Sequence, residues 1–493
     1  MLWVALFLPE LSLQLARRGV PDGSPLVVSD GPGNRPTVVA ANAAAREAGV
    51  APGMALAAAQ ALAGNLQVMP RDPAREEAAL DNLAGWAGQF TPKVVIEPHA
   101  GVLLEVAGSL KLFGGLAQLL TRIREGARRL GYRAVSGVAP TPLAAYWLAR
   151  VRVALPGVRS CTEPAYLAER LADLPLDLLG WQAETVALLR ELGIKRLKDC
   201  LALPRDGLAR RFGPELVALL DRALGLRPDP RPAYVPPERF ASRIELPAEI
   251  EHVEGLLFPL RRLLHELEGF LCGRGAGVQQ LALVAEHTRH GRSRLTLGLT
   301  APERNSARLL ALLHEQLMRV QFPGAVVAIG LHADILLPYT PQNTSFLPDA
   351  ATQTTHWRHL AERLRARLGE ERVFALQALD DHRPEHAWRV RHAFLRRGEG
   401  QGVRGGCNSS TAPSPRPLWL LTAPKALASR EDRPEYRGPL ALLAGPERIE
   451  AGWWDGRRVG RDYYVARTRR GELVWVYREH RMLPAWYLQG IFA

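Results

Sequence analysis

Residues 90–108, FTPKVVIEPHAGVLLEVAG, hold two apolar runs, Val94–Ile96 and Val102–Leu104, folded about a Pro98-His99-Ala100-Gly101 turn. A bend between two buried strands is a place where carboxylates can converge on a divalent cation. Here the bend itself carries Ala100 and Gly101, and the acids within reach are Glu97, Glu105 and, from the first apolar run, Glu10. Glu105 is four residues beyond Gly101 on the same strand. It shares a face with that position but is about 13 Å further along, whereas a metal–oxygen contact needs about 2.1 Å. Glu10 follows Pro9 at a strand end and is expected to face solvent. A second group, Asp380-Asp381-His382-Arg383, has the residue types of a cation site but reads as a capped turn with surface ion pairs. Cys161, Cys200, Cys272 and Cys407 form no CxxC pair, which argues against zinc and fits a reducing compartment. No metal and no cofactor are expected.

The elements that position these residues follow from length and pattern. A chain of 493 residues, 47% of them apolar, has room for about three globular domains. The opening MLWVALFLPELSLQLARR has its apolar run cut by Pro9 and Glu10, with positive charge after the run rather than before it. It reads as a buried strand, not a signal peptide; no stretch is long enough to span a membrane, and a cytoplasmic protein is expected. Net charge is +13, and from residue 351 onward 25 Lys and Arg stand against 16 Asp and Glu. That skew suggests a polyanionic partner.

Residues 1–165 alternate strand-like and helix-like stretches. Residues 166–232 read as short helices joined by Gly-containing turns, either a hairpin that aims backbone N–H groups at phosphate or a plain helical bundle. Strands and two amphipathic helices return in 233–350, a helical connecting region spans 351–395, and a Gly/Ser/Pro-rich linker covers 396–416. In 417–493 two alternating runs flank an Arg470-Gly471 turn, a hairpin signature. The fold class expected is α+β, multidomain, with a small β-rich terminal module.

Four spaced segments, VAANAAAREAGVAPGMALAAAQAL, FTPKV…LLEVAG, SGVAPTPLAAYWLA and LGIKRLKDCLALP…RFG, together resemble the fingers, palm hairpin, second palm segment and thumb of Y-family DNA polymerases. The resemblance implies palm and fingers over 1–165, a helix-hairpin-helix thumb over 166–232 and a little finger over 233–350. Carried across, the family's first metal-binding Asp falls on Phe7 and its Asp-Glu pair on Ala100-Gly101. The fingers Tyr falls on Ala43, its companion Arg is kept as Arg46, and a triphosphate-binding Lys falls on Tyr146. ALDDHRPEHAWRV and the aromatic C-terminus extend the likeness to the polymerase-like ImuB subgroup.

That subgroup implies a non-catalytic subunit of error-prone translesion synthesis and damage-induced (SOS) mutagenesis. Its implied partners are DNA, the β sliding clamp, a RecA-like ImuA-type protein and an error-prone C-family polymerase. The alternatives are a Y-family polymerase retaining some Mg²⁺-dependent activity, or a simple duplex-binding repair protein. DNA contacts are expected at Gly180, Lys195 and Arg196, although Gly180-Trp181-Gln182 keeps only the first Gly of the usual Gly-x-Gly. A clamp-binding peptide is expected at Gln342, Phe346 and Leu347 in YTPQNTSFLPD. Trp453, Trp454, Tyr463, Tyr464, Trp475, Tyr477, Trp486 and Tyr487 are expected to bind a partner, because a unit this small should fail to bury them all.

Overall fold

The computed structural model describes residues 1–16, 23–31, 35–98, 100–340, 350–369, 371–391, 416–480 and 485–492. They fall into two compact units, Met1–Arg367 and Leu368–Ala493.

The opening apolar run forms β1 (Trp3–Phe7), followed by α1 (Leu11–Ala16). A small lobe comes next: β2 (Leu26–Asp30), β3 (Thr37–Ala41), α2 (Ala43–Glu47), α3 (Leu56–Leu62) and β4 (Gln67–Pro70), with strand order β3-β2-β4. Asn42 fastens it. Its carboxamide oxygen accepts from the N–H groups of Ala45 (2.9 Å) and Leu26 (3.1 Å), capping α2 and pinning it to β2.

Then follow α4 (Pro73–Ala87), β5 (Val94–Glu97), β6 (Gly101–Glu105), α5 (Leu116–Arg129), β7 (Val135–Ala139) and α6 (Pro142–Ala154). The sheet β5-β6-β1-β7 is antiparallel throughout. Period-two alternation along β1 serves two cores. Val4 and Leu6 pack with α4 and α5, while Trp3 and Ala5 pack with α6 and the helices after it. Those helices are α7 (Leu167–Ala172), α8 (Ala183–Glu191), α9 (Leu197–Leu201), α10 (Arg205–Phe212) and α11 (Pro214–Leu224).

A third layer contains β8 (Phe240–Ile250), α12 (Val253–Arg274), β9 (Ala276–His287), β10 (Arg292–Glu303), α13 (Ser306–Leu317), β11 (Val326–Ala333) and β12 (Leu336–Pro338). Its sheet runs β10-β9-β11-β8, and α12 and α13 share one core with it. Helix α12 crosses α4 closely: a Cβ at Gly273 would stand 2.8 Å from the Gly88 carbonyl carbon, and one at Gly269 would stand 2.2 Å from the Trp86 ring. Helix α14 (Ala350–Leu368) is tied to β10 by buried Glu362, which accepts from the Thr300 N–H at 2.7 Å and pairs with Arg308.

The second unit begins with a ribbon, β13 (Ala375–Ala378) and β14 (Trp388–Arg391). It continues as β15 (Trp419–Arg430), β16 (Arg433–Glu435), β17 (Ala441–Ala451), β18 (Val459–Arg467), β19 (Leu473–Glu479) and β20 (Trp486–Ile491), ordered β16-β15-β20-β19-β18-β17. The region expected to be a helical connector over 351–395 is thus divided. Its helix lies on the third layer. Its second half is tied to the terminal sheet by two ion pairs, Arg383–Asp455 (2.7 Å) and Glu385–Arg461 (2.8 Å).

Candidate functional site

Phe7 ends β1, with Gly101 opposite on β6 and Val135 opposite on β7. Its ring meets Tyr146 of α6 edge to face, centroids 5.8 Å apart, and the Arg150 guanidinium stands 5.6 Å from the Phe7 centroid. Arg150 also donates to Tyr146 Oη (3.2 Å) and to the Leu178 carbonyl (3.0 Å). An aromatic–cation cluster therefore fills the place where the polymerase resemblance puts a metal site. Ala100 is buried, and its carbonyl accepts from the Leu8 N–H at 2.7 Å. At Gly101 a Cβ would come within 1.9 Å of the Leu6 carbonyl oxygen, so no side chain fits there without moving β1.

The three neighbouring acids are all engaged elsewhere. Glu10 is not simply in solvent, as its strand-end position suggested: it pairs with Arg46 at 3.1 Å, because β1 ends beside α2. Glu97 pairs with Arg231, and Glu105 accepts from the N–H groups of Leu2 (3.0 Å) and Ala107 (3.3 Å). Among the described residues no group of three or more His, Cys, Asp or Glu side chains is placed to hold a metal ion. A two-metal centre needs several convergent carboxylates, and the residues of this corner do not fit one. Ala43 opens α2 and is exposed; Arg46, one turn on, serves Glu10.

The thumb-like hairpin turns at Gly193 (φ +79°), buries Ile194 and exposes Lys195 and Arg196. The N–H groups of Lys195 (3.2 Å) and Arg196 (2.9 Å) both donate to Asp199, which holds that carboxyl below the usual carboxylate range. Both amides are thus occupied by an internal carboxylate. The Arg196 and Lys198 side chains each reach Asp173 at 3.0 Å. Gly180 serves a different end: at φ +82° its missing Cβ would stand 2.8 Å from the Arg150 guanidinium carbon, so it makes room for the cluster on Phe7. Gln342, Phe346 and Leu347 lie outside the described residues.

The open face of the third-layer sheet carries residues that sequence reasoning passed over. A groove of about 420 Å³ is lined by Arg243, Glu286, Arg292, Arg294, His332 and Asp334. Glu286 accepts from Arg243 (2.7 Å) and pairs with Arg292 (3.0 Å). The signal was the Arg-Ser-Arg alternation at 292–294, which puts two guanidinium groups on one strand face.

The terminal aromatics correct an expectation. Tyr463, Trp475, Tyr477 and Trp486 are buried, and Tyr464 and Tyr487 are half-buried. The unit buries them because its sheet has a core on each face, one around Val474, Val476 and Trp486 and the other around Tyr463, Trp475 and Tyr477. Tyr463 stacks on Trp475 at 4.2 Å, donates to Gln489 at 2.6 Å and accepts from Arg461 at 3.1 Å. Burial raises the Tyr463 hydroxyl pKa and pushes that of Tyr477 up to about 12. Of the eight residues expected at an interface, only Trp453 (70% exposed) and Trp454 (54%) are freely accessible.

No helix among the described residues is long and apolar enough to cross a membrane. The impB/mucB/samB family model matches residues 10–150. Protein ImuB of Caulobacter vibrioides (strain NA1000 / CB15N) is 29% identical over 486 residues, covering 90% of this chain and all of the relative. DNA polymerase IV of Shewanella denitrificans is 28% identical over 267 residues, 52% of this chain and 72% of the relative. Among solved structures, DinB from Sulfolobus solfataricus aligns with a TM-score of 0.39 and 20% identity, over 69% of this chain and all of that one. The insertion ternary complex of Dbh DNA polymerase aligns with a TM-score of 0.40 and 19% identity, over the same shares. Along most of its length the chain is thus similar to Protein ImuB of Caulobacter vibrioides, and over residues 10–150 it matches the impB/mucB/samB family.

Proposed function

We propose that this protein is a cytoplasmic, non-catalytic subunit of error-prone translesion synthesis, one that holds damaged DNA and gathers the proteins that copy it. The observation that carries this reading is the corner at Phe7, Ala100 and Gly101. It presents a ring, a methyl group and a hydrogen where the family places acids, and Glu10, Glu97 and Glu105 are each bound elsewhere. Losing even part of a two-metal centre removes several kcal/mol of transition-state stabilisation, and each ~1.4 kcal/mol is tenfold in rate. Its partners are DNA, the β sliding clamp through Gln342, Phe346 and Leu347, an error-prone C-family polymerase, and a RecA-like accessory protein recruited by the second unit.

Primer extension tests the central point. The purified full chain should incorporate no nucleotide with Mg²⁺ or Mn²⁺ while still binding primer–template DNA. That binding should weaken with salt at a log–log slope of about −0.9 per neutralised phosphate. Template-dependent incorporation abolished by Glu10→Gln, Glu97→Gln and Glu105→Gln would mean a polymerase with displaced acids. Removal of the second unit after Gly369, leaving the DNA-binding unit whole, should abolish recruitment of the RecA-like protein.

A further inference from the structure

Arg383 is only 4% exposed, although it belongs to an Asp-Asp-His-Arg run that reads as a surface turn. Its guanidinium donates to Asp381 (2.8 Å), to Asp455 (2.7 Å) and to the Arg457 carbonyl (3.4 Å), and it stands 5.5 Å from the Trp454 ring centroid. Asp455 in turn accepts from the Arg457 N–H at 3.0 Å. Gly452 takes φ +83°, where a Cβ would stand 2.3 Å from the Arg457 carbonyl oxygen and 2.7 Å from Arg383 Nη1. A buried, doubly neutralised arginine thus holds one surface loop, 452–458, in a single shape. At its tip Trp453 and Trp454 project, 70% and 54% exposed, rings 4.6 Å apart and 81° to each other, beside exposed Arg457 and Arg458.

Two exposed indoles on a mobile loop would lose much of their binding energy to ordering. On a loop already fixed they lose little, and tryptophan with arginine is the usual composition of an interface hot spot. The charge selects the occupant. Arg383 with Asp381 and Asp455 carries one net negative charge, so Arg457 and Arg458 leave the loop with one net positive charge, presented at its exposed tip, and an acidic surface complements it. A second copy of this chain, itself at +13, presents the wrong sign. A single nucleic-acid strand fits less well: the rings are perpendicular rather than parallel, and Arg383 already lies over Trp454, so successive bases find no continuous stack.

We propose that the Trp453–Trp454 loop, pre-set by Arg383, is the anchor by which the second unit docks into an apolar slot with an acidic rim on a partner protein. This rests on the proposed function, in which the unit recruits the RecA-like accessory protein, and that protein serves as the probe. In the full chain, W453A/W454A should weaken binding of that purified protein about 100-fold while the second unit still unfolds cooperatively, since Trp453 and much of Trp454 are exposed. R457E/R458E should weaken it about tenfold and flatten its salt dependence. R383M should weaken it by loosening the loop, with both tryptophans still present. If W453A/W454A binds like the wild type while removal of the unit after Gly369 abolishes binding, this anchor is wrong and recruitment stands. If removal of the unit changes nothing, recruitment fails and the anchor with it. If the tryptophan variant keeps the protein but loses a 20-nucleotide oligo-dT strand, the loop is a nucleic-acid platform and the proposal is overturned.

Discussion

Gly101 lies so close to β1 that a Cβ would come within 1.9 Å of the Leu6 carbonyl oxygen. Returning acids to the corner is therefore more than a change of side chains. The triple variant F7D/A100D/G101E is expected to give no primer extension with Mg²⁺, because the third substitution displaces the strand that carries the first. Phe7→Asp alone should cost about 1–3 kcal/mol in denaturant unfolding, since the ring leaves Tyr146 and Arg150 and puts a carboxylate in a half-buried site. Extension by the triple variant would show that the corner relaxes freely. The two strands here were legible in the apolar runs of Leu2–Leu8 and Val102–Leu104. What surrounds Phe7 was not: Arg150 meets Gly180, and Glu97 meets Arg231, across separations that leave no local pattern.

The terminal sheet shows how far strand periodicity reaches. The alternation in RDYYVARTRRGELVWVYRE predicts the β18–β19 hairpin, which pairs Tyr463 with Tyr477 and Val465 with Trp475. The same period places Val474 and Val476 on one face and Trp475 and Tyr477 on the other, and both faces are covered. Counting aromatics against the size of the unit misses that second core. So did reading the Asp380–Arg383 run locally, because Arg383 finds Asp455 72 residues away. A pH dependence follows. Buried Tyr463 and Tyr477 hold their protons more tightly folded than unfolded, so their stabilisation is complete below about pH 10, the ordinary tyrosine value. It is lost as pH rises through the folded values, about 12 for Tyr477. Thermal unfolding of the full chain between pH 9 and 12 should show the second unit melting progressively lower, and Y463F/Y477F should flatten that fall. A melting temperature with the same pH dependence in the wild type and in Y463F/Y477F would contradict the buried placement.

Across the first unit, α4 and α12 meet at Gly88 and Gly273, where a Cβ on Gly273 would stand 2.8 Å from backbone. Around that crossing Asn82 donates to Ser242 (3.2 Å), Arg75 pairs with Glu245 (2.8 Å) and the Tyr234 N–H donates to the Val94 carbonyl (2.7 Å). Gly273→Leu should destabilise the first unit by about 1–3 kcal/mol, and calorimetry should then show the first unit unfolding in two steps where the wild type shows one. One unchanged transition would mean the helices part at little cost. The α+β layering was legible from strand and helix periods, but this contact was not, because a glycine inside a helix carries no signal of what lies against it. Two helices joined backbone to backbone leave no slack at that joint, so the sheets on either side of it shift as one piece or only by breaking the crossing.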